Sequence, residues 1–166
     1  MRLRSILNTI TLLSILSLSF ALFSQYYWGM LPCAWCVLSR FLLVLLIIFS
    51  VLFNFFYNHS IKKIGAFFSL IVSVLGIATS YYQYTVANKT FTCELTLADK
   101  IISKWLGLDA LLPQVFGIKA TCMDAVVSLF GLDYVLWALI LFVFLTLLSL
   151  VGLFSKPKLS NRALFK

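Results

Sequence analysis

Four uninterrupted apolar runs, Ile6 to Phe23, Val37 to Tyr57, Ile64 to Tyr84 and Tyr134 to Phe154, constrain this chain more than any other feature. Each is 18 or 21 residues long, enough for a helix to cross about 30 Å of hydrocarbon. A backbone amide inside lipid has no water to bond to, and runs of this length without strand-like alternation satisfy it as helices rather than as barrel strands. Composition agrees: a chain that is 63% hydrophobic and only 11% charged has too little polar surface to coat a water-soluble globule. The expected fold is all-α, an integral membrane four-helix bundle forming one domain over residues 1–166.

The net charge of +8 raises the question of a nucleic-acid partner, and the placement of the charges answers against it. Arg2 and Arg4 precede the first run, Lys62 and Lys63 sit between the second and third, and Lys156, Lys158, Arg162 and Lys166 follow the fourth, with no acid among them. By the positive-inside rule both termini and the turn at 58–63 are cytoplasmic. All five acids lie in the remaining connections, so the loops at about 24–36 and 85–133 face outward. A basic start before an apolar run also suits a cleaved signal peptide. The first run exceeds the usual length of such a region, however, and no small-x-small cleavage site follows it. Tyr26, Tyr27, Trp28, Tyr81, Tyr82 and Tyr84 cluster where spans meet water, as an interfacial aromatic belt does.

All four cysteines, Cys33, Cys36, Cys93 and Cys122, fall in the two outward connections. Thiols facing an oxidising compartment form disulfides, and an even number shared between two loops invites two pairs. Cys33-Ala34-Trp35-Cys36 is a C-x-x-C motif directly before the second span, which places Cys36 near a helix N-terminus, where the partial positive charge favours a thiolate. Pro32 suits a turn into that helix. Arg40, four residues after Cys36, shares its helix face. Its guanidinium is suited to stabilising a thiolate or to donating to a quinone oxygen; the plainer reading is a snorkelling anchor to the headgroups, and the neighbouring cysteine favours the functional one. In the second loop Leu97, Ile101, Trp105 and Leu108 recur at three- and four-residue steps, predicting a short amphipathic surface helix.

Two bland readings compete for the cysteines. A four-cysteine zinc site normally shows two close pairs, and only one pair is close here, so no metal is expected. Structural disulfides are the stronger rival, but a C-x-x-C ring closes little loop entropy and suits exchange better than stapling. His59, beside Lys62 and Lys63, reads as a solvated turn residue.

Taken in order, Pro32-Cys33-x-x-Cys36 with Arg40, Phe91-Thr92-Cys93-Glu94, Trp105-Leu106-x-Leu108-Asp109, Pro113-Gln114-Val115-Phe116, Cys122, Phe130-Gly131-Leu132 and the tail Arg162-Ala163-Leu164-Phe165 resemble the bacterial disulfide bond formation protein B (DsbB) family. The resemblance implies disulfide pairs Cys33–Cys36 and Cys93–Cys122, all four cysteines being catalytic, and a quinone, ubiquinone or menaquinone, held near Cys36 and Arg40. It further implies a multi-pass protein of the bacterial inner membrane whose partner is a DsbA-like periplasmic thioredoxin-fold oxidase. One departure stands out: some members carry a histidine near the outer end of the third span, where this chain has Gln83. Two alternatives remain beside this reading. One is a vitamin K epoxide reductase-like protein, whose C-x-x-C lies in a late span; the other is a non-enzymatic scaffold with structural disulfides.

Overall fold

The computed structural model describes residues 3–56, 58–85, 98, 100–105, 107, 112–120, 128–129 and 131–155. Its frame is four long helices: α1 (Leu3–Tyr27), α2 (Ala34–Phe55), α3 (His59–Thr85) and, late in the chain, α5 (Tyr134–Phe154). Each is long and apolar enough to cross a membrane. Between α3 and α5 lie a π-helical turn (Lys100–Trp105), the single turn α4 (Pro113–Phe116), and a two-residue antiparallel pair, β1 (Ser128–Leu129) with β2 (Leu132–Asp133). The architecture is an all-α membrane four-helix bundle with a small cap of irregular structure at one end.

Local chemistry explains the boundaries. α1 extends past its apolar run at both ends. α2 opens after Cys33, whose extended backbone (φ −85, ψ 171) breaks any continuation from Pro32; Cys36 is therefore the third residue of the helix. It closes at Phe56, where the backbone is again extended. The Asn58 carbonyl accepts the Lys62 amide at 3.2 Å and so starts α3. Pairing of Leu129 with Leu132 leaves a two-residue turn, and Gly131 at φ 81 supplies the left-handed backbone that such a tight hairpin demands. The turn delivers the chain into α5.

In a bilayer lipid tails are as apolar as leucine, so helices associate through close packing, small residues and buried polar contacts. The bundle shows all three. Ile6 and Ile10 of α1, Leu42 and Leu46 of α2, Val72 of α3 and Phe142 and Leu145 of α5 make the shared core. α3 lies along both α2 and α5. A side chain at Gly76 would overlap the Phe142 ring, and one at Gly65 would overlap Phe53; glycine permits both approaches. Ser50 and Ser69 hydroxyls meet at 3.4 Å across the α2–α3 seam. The opposite faces carry Leu16, Leu52, Phe67, Leu75, Ile140 and Leu147 outward, an apolar coat that only a lipid solvent tolerates at this extent.

The surface segment after α3 departs from its expected pattern. Ile102 is 0% exposed and packs with Ala98 against Cys33 and Trp35, whereas Ile101 is 37% exposed. A π-helical turn bonds i to i+5 and holds more residues per turn than an α-helix, so the three- and four-residue stripe through Ile101 does not track the buried face. Of the other stripe positions, Leu97 and Leu108 lie outside the described residues.

Candidate functional site: a buried dithiol beside an arginine clamp

The site is assembled at the end of the bundle where α2 begins and α3 ends. Cys33 caps α2 and is 0% exposed, sealed by Ala34, Ala98, Ile102 and Phe116. Cys36, one turn further, is only half-buried. The sulfurs stand 3.2 Å apart as two thiols, with the Cys33 Sγ–H donating to Cys36 Sγ. That hydrogen bond, reinforced by burial, pushes the Cys33 thiol far above the ordinary thiol range. The pair thus divides its labour: Cys33 keeps its proton, and Cys36, the less buried of the two, is the sulfur that accepts hydrogen bonds. Closing the two into a disulfide requires roughly 1 Å of approach.

Arg40 is four residues on and 6% exposed. Its Nη1 donates to Gln25 Oε1 at 2.5 Å and to the Val115 carbonyl at 3.1 Å, and Nη2 donates to the Ala21 carbonyl at 3.2 Å. A buried guanidinium is tolerable only when its fork is occupied in this way. The snorkelling reading is therefore excluded: the side chain turns inward, tying α1, α2 and α4 together. Its charge remains within electrostatic reach of Cys36 and of Tyr134 at the start of α5.

The Pro113-Gln114-Val115-Phe116 motif gains a physical role here. Pro113 opens the single turn α4, which presents its carbonyls to the bundle. Gln114 O accepts Tyr26 Oη–H at 2.9 Å and Gln25 Nε2–H at 3.5 Å, and Val115 O accepts Arg40. The Lys119 amide donates to Pro32 O at 3.0 Å, binding this segment to the approach of the C-x-x-C. The Trp35 ring meets Tyr82 at a tilt of 38° with 4.8 Å between ring centres, while its indole Nε1–H is buried with no partner among the described residues.

The site is thus a dithiol at the head of a long apolar helix with an arginine one turn behind it. The family model described as Disulfide bond formation protein DsbB matches residues 3–152. The chain belongs to the DsbB family. Similar proteins include Disulfide bond formation protein B of Cupriavidus metallidurans, 29% identical over 90% of this chain and 91% of the relative. Disulfide bond formation protein B 1 of Pseudomonas entomophila is 29% identical over 81% of this chain and 80% of its own. The protein of the same name as the first from Herminiimonas arsenicoxydans is 27% identical over 92% and 96%. No solved structure matches. As a DsbB-family member the chain is a multi-pass membrane disulfide oxidoreductase, which decides against the vitamin K epoxide reductase-like and scaffold alternatives.

Of the residues singled out in the sequence, the structure brings Cys33, Cys36 and Arg40 to one end of the bundle. Cys93 and Cys122 lie outside the described residues. Two site residues escaped attention as partners. Gln25 holds the Arg40 fork. Gln83, 3% exposed, points its Nε2–H at Cys36 Sγ (3.1 Å) and Cys33 Sγ (3.5 Å). The available signal was simple: each is an amide at the end of an apolar span, where burial obliges it to find a partner.

Proposed function

We propose that this DsbB-family protein is a quinone-dependent thiol oxidase of the bacterial inner membrane that reoxidises a DsbA-like periplasmic dithiol oxidase. In this reading both termini are cytoplasmic, as the basic residues flanking the spans indicate, and the C-x-x-C end of the bundle is periplasmic.

The electron path is a chain of thiol–disulfide exchanges. A thiolate of the reduced partner attacks Cys93 of a Cys93–Cys122 disulfide, forming a mixed disulfide and releasing Cys122 as thiolate. The partner's second thiol displaces Cys93, so the partner leaves oxidised and the loop pair holds two electrons and two protons. That pair then reduces the Cys33–Cys36 disulfide through a transient bond between the loops. The product is the Cys33/Cys36 dithiol, the form described above.

The residues at this end suit a quinone. Cys36 is only half-buried, the indole N–H of Trp35, next to it in α2, is buried without an acceptor among the described residues, and the Arg40 charge reaches Cys36; a planar ring carrying carbonyl oxygens suits such donors. Cys36 and Arg40 are the residues that would hold it. When bound, a quinone supplies the sink for two electrons and two protons. For their part, Cys33 and Cys36 give up two electrons as their S–S bond re-forms; Cys33 supplies one proton, water supplies the second, and Arg40 balances the charge at the Cys36 thiolate. The observation that carries the reading is the half-buried Cys36 at a helix start, one turn from a buried arginine, in a chain of this family.

The purified protein, a reduced thioredoxin-fold dithiol partner and ubiquinone or menaquinone together should yield quinol catalytically, and Cys36→Ser should abolish it. Undiminished turnover by Cys36→Ser overturns the proposal.

A further inference from the structure

The amide of Gln83 presents an unusual account of its own hydrogen bonds. It sits two residues before the end of α3, 3% exposed, and among the described residues its Nε2–H donors meet only sulfur: Cys36 Sγ at 3.1 Å and Cys33 Sγ at 3.5 Å. A buried amide without a good acceptor costs free energy. Thiol and disulfide sulfurs are weak acceptors; a thiolate is a strong, charge-assisted one. The amide is therefore satisfied in only one state of the pair, the reduced state with charge on Cys36. Cys33, whose S–H also points at Cys36, adds a second donor to the same sulfur.

We infer that Gln83 is a further residue of the redox site, a fixed N–H donor that stabilises the reduced Cys36 sulfur and biases the Cys33/Cys36 pair toward the dithiol. The inference rests on the reading of Cys36 as the reacting sulfur and adds the group that tunes it. The titratable or charged groups facing this sulfur are Cys33 ahead of α2, Arg40 on α2, Tyr134 on α5 and, around the Arg40 charge, Tyr26 on α1. Gln83 is the member of the cluster that donates without carrying a charge or a removable proton. In the exchange itself the loop dithiol supplies two electrons and two protons: the S–S bond of Cys33–Cys36 breaks, Cys33 takes one proton, the second passes to water, and the Cys36 thiolate takes the Gln83 hydrogen bond. On reoxidation the same bond is released.

The test reads the pair directly and needs neither quinone nor partner, so its failure is separable from failure of the oxidase reading. Full-length protein is equilibrated in glutathione redox buffers, and each cysteine is quantified by differential alkylation and peptide mass spectrometry. The rate of Cys36 alkylation is measured at pH 7 in the same preparation. Gln83→Leu should slow Cys36 alkylation about tenfold and shift the equilibrium about tenfold toward disulfide, which is about 30 mV for a two-electron couple. Gln83→Glu keeps the shape but offers acceptor oxygens and a charge, and should shift both readouts at least as far. Gln83→His restores an N–H donor and should recover most of both. Gln83→Glu with wild-type rate and equilibrium overturns the inference, even where Gln83→Leu fails to fold; so does a folded Gln83→Leu that changes neither.

Discussion

Around Phe142 the bundle is held by shape, whereas around Arg40 it is held by hydrogen bonds. In the middle, Phe142 lies against the bare backbone of Gly76 and fills the space among Ile10, Leu46 and Leu145. At the cysteine end a buried guanidinium, two buried amides and two thiols are matched to carbonyls and to each other. Lipid makes both arrangements possible for different reasons. Close packing needs only complementary surfaces, while polar groups out of water must be paired or they destabilise the fold. The contrast separates two tasks: the polar cluster carries the chemistry proposed for this end, and the packed middle keeps it in place.

Substitutions in the two regions should therefore separate stability from chemistry. The largest loss is expected in the middle: Phe142→Ala should cost about 3–5 kcal/mol of bundle stability, measured by denaturant titration in mixed micelles. The folded fraction should keep the wild-type Cys36 alkylation rate. Gly76→Val drives a side chain into Phe142 and should cost about 1–3 kcal/mol, again with the site chemistry spared; unchanged stability would show that the middle is looser than its packing implies. At the other end the balance should reverse. Arg40→Lys keeps the charge and loses the planar fork, so quinone reduction should fall about tenfold, or about 1.4 kcal/mol, with partner oxidation nearly intact. Equal loss of both half-reactions would make Arg40 a clamp alone. The smallest effect should come from Ser73→Ala. The Ser73 hydroxyl is buried without a partner among the described residues, so its removal should change stability by less than about 0.5 kcal/mol or raise it slightly.

The comparison also marks what sequence could and could not say. Span number and the helix start at the C-x-x-C were legible because apolar length and Pro32-Cys33 punctuation are local signals. The inward turn of Arg40 was not, since its partners sit at Ala21, Gln25 and Val115, up to 75 residues away; only tertiary packing joins them. Gln83 could be noticed as an amide at the outer end of the third span, but its bond to Cys36 depends on α3 returning beside α2. The stripe through Ile101 misled because a helical period was assumed for a segment that winds as a π turn. The function of the Pro113–Phe116 turn was likewise invisible, because what it contributes is backbone carbonyls, which no residue identity announces.

The central claim is that the Cys33/Cys36 dithiol passes its electrons to a lipid-soluble quinone. A single-turnover experiment tests it most directly: fully reduced protein is mixed anaerobically with an equimolar quinone, without partner, and quinol and the state of each cysteine are followed together. One quinol for each protein disulfide formed, at Cys33–Cys36 or passed on from it to Cys93–Cys122, is the predicted result. Quinone that stays oxidised while the reduced pair persists would contradict the account.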